Sequence, residues 1–224
     1  MEQFDVVILA NGEFPAHDVP LEVLRNAPQL VCCDGAITQL ARLSPLTSDL
    51  RPQTSHLSPL TSDLSPLIIG DGDSVPAEYR DKLIQVDEQE DNDLTKATRY
   101  CLRQGWHRIA YLGTTGMRED HTLGNISLLM RYYQEMGVEG MMFTNTGFFT
   151  PAQGDRTFAS FSGQQVSIFN FGSSSIRSKG LKWDSYAYQE WWQGTLNEAV
   201  SDSFMLCADS YYLVYQTYDA KSKE

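Results

Sequence analysis

The chain has 224 residues, a formal net charge of −12 and 42% hydrophobic residues. That is enough apolar material for one large or two modest domains, and the acidity argues against a general binder of nucleic acid or acidic membranes. No apolar run approaches the length of a membrane span, and the start, MEQFDVVILANG, shows neither a basic stretch nor a small-residue cleavage site, so the expected compartment is the cytoplasm.

In chain order, short apolar runs alternate with helical patterns. The predicted strands are Asp5–Ala10, Leu30–Asp34, Leu67–Asp71, Leu83–Asp87, Arg108–Gly113 and Gly140–Asn145. Helices are expected near Pro20, after Asp34 and from Pro76, where proline suits a first turn. Two stronger helical patterns follow. In DNDLTKATRYCLRQG, Leu94, Ala97, Cys101 and Leu102 share a face; in EDHTLGNISLLMRYYQEMG, Leu123, Ile126, Leu129 and Tyr133 do, and Gly137 ends the helix. Near-continuous apolar strands alternating with helices predict a mostly parallel, Rossmann-like sheet covered on both sides. After about Gly147 the helical period vanishes. RTFASF, QQVSIFNF, SIRSKGLKWD, FMLCA and YYLVYQTY are short, aromatic and β-branched, which is the pattern of an all-β sandwich or barrel. The expected organisation is an α/β domain over 1–140, a β-sandwich over 141–219 and a tail over 220–224.

One segment fits neither half. LSPLTSDL occurs at Leu43–Leu50 and again at Leu57–Leu64. Its Ser, Thr, Pro and Asp content reads as a duplicated, mobile surface insertion over 43–66, with a partner-binding loop as the alternative. The cysteines, Cys32, Cys33, Cys101 and Cys207, form no CxxC pair, and the adjacent pair in an apolar run reads as buried thiols.

Ligands of open α/β sheets bind at the carboxyl ends of the strands. The polar residues after each apolar run should therefore converge: Asn11-Gly12, Asp34-Gly35, Asp71-Gly72-Asp73-Ser74, the acidic cluster before Leu94, and Gly113 to His121 with Thr114 at its start. In extended chain Asp71 and Asp73 would face the same way, about 6.5–7 Å apart. Two such carboxylates repel unless a cation lies between them, and Mg²⁺ takes one or two carboxylates plus substrate phosphates. The alternative for Gly-Asp-Gly-Asp-Ser is turn chemistry alone. In EDNDLTK, Asp91 and its neighbours read either as helix caps or, for Asp93, as part of a metal shell, with Lys96 facing a phosphate. Glycines in GTTGMREDH would let backbone N–H groups approach a phosphate, and Arg118 would offer a forked donor. Asp120 reads as a helix cap or a site residue, and His121 as a polar contact. His17, His56 and His107 have no motif around them. Trp183, Trp191 and Trp192 read first as core or interface residues, although a tryptophan face also holds a flat or cationic heterocycle.

Taken together, CCDGA, IIGDGDS, EDNDLTKA, GTTGMREDHTLGNI, SKGLKWD and GTLNE resemble the thiamin pyrophosphokinase family in content and order, from Cys32 to Glu198. The resemblance implies an N-terminal ATP domain and a C-terminal β-sandwich, in a homodimer that binds thiamin across its interface. It implies transfer of a pyrophosphoryl group from ATP to the thiamin hydroxyl, with release of AMP. It places Mg²⁺ and the phosphates on Asp71 and Asp73, with Asp93 as a third carboxylate. Lys96, Arg118, Asp120, His121 and Asn125 would line the nucleotide site near Asp34 and Gly35, and Trp183 would meet the thiamin rings near Thr195 and Asn197. The chain departs from the family pattern at Ala36, Asn92, Gly124 and Leu196. Such a reaction is catalysed mainly by positioning and electrostatics, with Asp71 or Asp73 taking the hydroxyl proton. Two other readings compete: a haloacid-dehalogenase-like phosphatase using the Asp71/Asp73 pair, and a non-catalytic dimer that binds nucleotide or thiamin.

Overall fold

The computed structural model describes residues 3–40, 66–86 and 91–220. The LSPLTSDL repeat, His56 and Glu90 lie outside the described residues. The chain forms two compact units: Met1–Leu128 with Gly137–Thr144, and Leu129–Met136 with Asn145–Glu224.

The first unit is built on β1 (Val6–Leu9), β2 (Leu30–Cys33), β3 (Leu67–Gly70), β4 (Leu83–Gln85), β5 (Arg108–Leu112) and β6 (Glu139–Phe143). All pair in parallel, in the order β4-β3-β2-β1-β5-β6. β1 and β2 are buried along their whole length, as strands covered on both faces must be. The strand order reverses between β1 and β5, so the crevice for a ligand opens beyond the ends of those two strands.

Three helices lie wholly within the described residues, α1 (Asp18–Arg25), α2 (Asp93–Arg103) and α3 (Glu119–Met136), and the helix expected after Asp34 is present over residues 37–40. His17, a residue without a sequence role, caps α1 by accepting from the Val19 N–H at 3.2 Å. On α2, Leu94, Ala97 and Cys101 are buried as expected, and the helix lies on β1, β2 and β3. On α3 the expected stripe is displaced. Leu129, Met130 and Tyr132 are buried, whereas Leu123 is 55% exposed; periodicity finds an apolar face but not what covers it. Gly137 ends α3 with φ +68°. The helix expected from Pro76 is instead a 3-10 stretch, Ala77–Lys82, with no buried residue. It is polar all round and has no face to dock.

The second unit is an antiparallel sandwich. One sheet runs β7 (Gly147–Gln153), β13 (Tyr211–Ala220), β9 (Gln164–Phe171) and β11 (Asn197–Glu198). The other runs β8 (Arg156–Ala159), β12 (Ser203–Ala208) and β10 (Ile176–Lys179). Phe158, Ile176, Phe204 and Leu206 from the small sheet meet Val166, Ile168, Tyr212 and Val214 from the large one in a single core. Phe158 and Phe204 stack at 5.1 Å. The predicted run SIRSKGLKWD is strand only over Ile176–Lys179, because Gly180 turns it with φ +87°. β7, GFFTPAQ, is a strand without a counterpart among the expected runs, and it accommodates Pro151 within it.

Candidate active site

Five strand-end segments of the first unit do converge, and hydrogen bonds hold them together. The chain after β1 continues alongside the chain after β5: Gly12 N–H donates to Gly113 O at 2.7 Å and Glu13 N–H to Thr115 O at 2.8 Å. Gly113 takes φ +62° there, and a Cβ on it would stand 2.4 Å from Ala10 O. Gln39 donates to Asn11 Oδ1 at 2.7 Å and to Gly12 O at 3.1 Å, which fixes Asn11. Gly35 is so close to Asn11 and Ser74 that an added Cβ would lie 3.1 Å from each.

Asp34, after β2, has φ +39° and is buried. Its carboxylate accepts the Gly72 N–H at 3.2 Å through Oδ1 and the Ser74 N–H at 3.1 Å through Oδ2. It therefore acts on the Asp71–Ser74 loop, and both its oxygens are engaged. The loop itself is not extended. β3 stops at Gly70, Gly72 has φ +87°, and Asp71 Oδ1 accepts the Asp73 N–H at 3.1 Å. The assumption that Asp71 and Asp73 stand on one face of a strand is thus replaced by a turn that Asp34 holds from below. Asp71 is half-buried and Asp73 exposed.

Beside this loop begins α2. Asn92 caps it, its Oδ1 accepting from Thr95 N–H at 2.9 Å and from the Thr95 hydroxyl at 2.8 Å. The same amide donates to Asn125 Oδ1 at 3.4 Å, and Asn125 donates in turn to Thr114 O at 2.7 Å. One chain of side chains thus ties the start of α2 to the glycine loop after β5. The Cys33 thiol donates to Asp93 O at 3.7 Å, joining β2 to the same helix start. Burial holds the Cys33 thiol well above its usual range, with nearby Asp93, Cys32, Cys101 and Asp34 adding to the effect. Gln39 carries no sequence signal, and neither do the second bond of Asn92, to Asn125, and the clamp on Ser74 by Asp34; each joins partners too distant along the chain for spacing to show.

Asp93 is partly buried, and burial raises its carboxyl above the usual value. The nearby Lys96 opposes this, while Asp34 and Asp71 add to it. Lys96 is buried, with Nζ 3.3 Å from Asp93 Oδ1. Asp91 pairs with Arg99. The Thr114 hydroxyl is buried and has no hydrogen-bond partner among the described residues. No group of three or more His, Cys, Asp or Glu side chains is disposed to hold a metal among the described residues. Arg118, Asp120 and His121 are exposed at the start of α3. The Arg118 guanidinium grips Asp120 at 3.1 and 2.6 Å and holds that carboxyl below its usual range. Asp120 lies inside the first turn, not at the cap position.

The second unit contains a cleft of about 300 Å³ lined by Trp183, Tyr186, Tyr188, Thr195, Leu196 and Asn197 among others. The reading of Trp183 as core is overturned: it is 53% exposed. Lys182 Nζ sits 4.8 Å from the ring centroid of Trp183 and 3.1 Å from Glu198 Oε2, so a cation is held against the indole. Asn197 clamps the Trp183 backbone, donating to its carbonyl at 2.8 Å and accepting from its N–H at 3.2 Å. Thr195 donates its hydroxyl to Trp192 O at 2.7 Å.

Two family models match the chain: the thiamin pyrophosphokinase catalytic domain over residues 21–139 and the thiamin pyrophosphokinase substrate-binding domain over 147–215. The chain belongs to the thiamin pyrophosphokinase family. Its activity class is ATP-dependent synthesis of thiamin diphosphate. Solved structures agree in fold. Thiamin pyrophosphokinase from Candida albicans aligns with a TM-score of 0.73 at 16% identity, covering 95% of this chain and 90% of that one. The yeast enzyme aligns at 0.69 and 17%, covering 97% and 88%, and that from Geobacillus thermodenitrificans at 0.68 and 20%, covering 97% and 98%. No curated protein sequence matches the chain significantly. The phosphatase and non-catalytic readings find no support in these matches.

Proposed function

We propose that the first unit binds ATP at the strand-end crevice, the second binds thiamin in the aromatic cleft, and the pyrophosphoryl group passes to the thiamin hydroxyl with release of AMP. The observation that carries this is the hydrogen-bonded convergence of the five polar loops, one of which holds the buried Lys96 beside Asp93. Lys96 meets a phosphate, and the backbone of Asn11, Gly35, Gly113 and Thr114 forms the cradle. The buried Thr114 hydroxyl, which lacks a protein partner among the described residues, accepts or donates to the nucleotide. Asn125 holds the cradle, Asp34 holds the Asp71–Ser74 turn, and Arg118, Asp120 and His121 border the nucleotide.

The carboxylates near the Asp71–Ser74 turn do not form a ready three-ligand metal group among the described residues, but their oxygen chemistry suits a hard dication that draws them together with phosphate. Asp93 is in the field of Asp34 and Asp71, a carboxylate excess that oxygen-ligated Mg²⁺ relieves. Asp71, Asp73 and Asp93 would hold it, with phosphate oxygens completing the shell. Bound there, Mg²⁺ would spread the negative charge of the polyphosphate. Asp71 or Asp73 receives the hydroxyl proton. Trp183 supplies the stacking face for thiamin, while Asn197 and Thr195 fix the backbone around it. The exposed Trp183, Trp192 and Val200 suit a homodimer contact. Four free cysteines suit a reducing, cytoplasmic compartment. The test is to mix the protein with Mg-ATP and thiamin and assay AMP and thiamin diphosphate together. Equimolar formation is expected. Phosphate release without any need for thiamin would refute the proposal.

A further inference from the structure

We propose that Leu196 is a specificity-determining residue: an apolar wall of the cleft, held in strained backbone so that its side chain meets a flat, alkyl-substituted heterocycle. The inference rests on the reading of the cleft as the thiamin site.

Leu196 has φ +64°. A non-glycine residue there is costly, and leucine has no polar side chain to make a local hydrogen bond in return. Such conformations persist only where the surroundings over-determine them, and they gather at ligand-contacting positions. The surroundings here do so. Residue 194 is pressed on β9 so closely that a Cβ would stand 1.9 Å from Ile168 O. Leu196 N–H donates to Ser167 Oγ at 3.3 Å. Asn197 is paired with Val166 and locked to the Trp183 backbone in both directions. With the chain held on each side, the side chain at 196 is turned outward. It is 67% exposed, yet it lines the cleft beside Trp183 and Tyr186.

Exposed as it is, this leucine gains little from burial while its backbone bears the strain. Glycine or asparagine would relieve that strain. What leucine adds is apolar surface facing aromatic walls, and that surface gains free energy only when a ligand covers it. Thiamin carries a methyl group on each of its two rings, which is the chemistry such a wall favours.

The test uses Leu196→Asn, which tolerates positive φ but is polar, and Leu196→Met, which stays apolar. Thiamin binding is read by quenching of intrinsic tryptophan fluorescence, and the KM values for thiamin and ATP by turnover. Leu196→Asn is expected to melt at or above the parent temperature, to bind thiamin on the order of tenfold more weakly and to keep its KM for ATP. Leu196→Met should stay within about twofold of the parent. Thiamin binding by Leu196→Asn as tight as the parent's overturns the inference. So does a melting point well below the parent's, or a loss of sedimentation mass, which would make Leu196 an assembly contact. A parent protein that does not bind thiamin at all overturns the reading of the cleft, and the inference with it.

Discussion

The strand-end crevice of the first unit and the cleft of the second hold their groups by opposite means. In the crevice, polar side chains are spent on the backbone: Asp34 on Gly72 and Ser74, Asn125 on Thr114, Gln39 on Gly12. On the proposed reading, backbone N–H groups, Lys96 beside Asp93, and two loop aspartates are what meet the nucleotide and its metal. In the cleft, the rings themselves are offered, with Trp183 half exposed and steadied by Lys182, and the backbone bears strain at Leu196. A triphosphate needs many aligned donors in fixed positions, so order is worth its entropy there. A heterocycle needs apolar faces that stay open until it arrives.

The comparison breaks most readily at Asp71. Asp71→Asn keeps an oxygen to accept the Asp73 N–H, so the turn survives. Turnover should fall on the order of 100-fold or more, with the melting temperature and thiamin quenching little changed. Near-normal turnover would remove Asp71 from the metal shell.

Asp34→Asn comes next. Asparagine tolerates the positive φ, but its amide nitrogen cannot accept one of the two backbone N–H groups. A loss of about 1–3 kcal/mol in stability is expected, with a raised KM for ATP and an unchanged KM for thiamin. Denaturant unfolding and steady-state kinetics check both. An unaltered protein would mean that the clamp carries nothing.

These two positions also show how far the residues could be read unaided. The Asp71/Asp73 pair was visible as spacing at the end of an apolar run. That Asp34 holds the loop was not, because its partner Ser74 is 40 residues away. Asn92 looked like a cap and is one; its second bond, to Asn125, depends on α2 and α3 beginning side by side.

Asn92→Ser separates those two roles. Serine caps about as well as asparagine but has no amide to donate. The melting temperature should hold and the KM for ATP should rise about threefold to tenfold, the worth of one hydrogen bond. An unchanged KM for ATP would confine Asn92 to capping.

The smallest effect is expected at the far end of the same sheet. Asp5 takes the Arg108 side chain at 2.8 Å and the backbone N–H groups of His107 and Arg108. Burial pushes its carboxyl up, but these hydrogen bonds outweigh it and the net shift is downward from 3.8. A lowered value means the unfolded chain binds the proton first. The stabilisation is therefore complete above the usual carboxylate range and is lost as pH falls through the lowered value. Asp5→Asn should flatten the acid side of the stability curve and leave both KM values alone. A change in either KM would contradict the placement of Asp5 away from both sites.

By itself, the order of apolar runs and glycines determined that a parallel sheet comes first and an antiparallel sandwich second, since strand burial and turn chemistry are local properties. It also marked which loops carry acid, amide and glycine. Tertiary structure alone decided which of those groups are spent on the protein and which remain for a ligand. Hydrogen-bond partners across the crevice, the exposure of Trp183 and the left-handed backbone of Leu196 all arise from segments brought together in space, where spacing along the chain no longer measures distance.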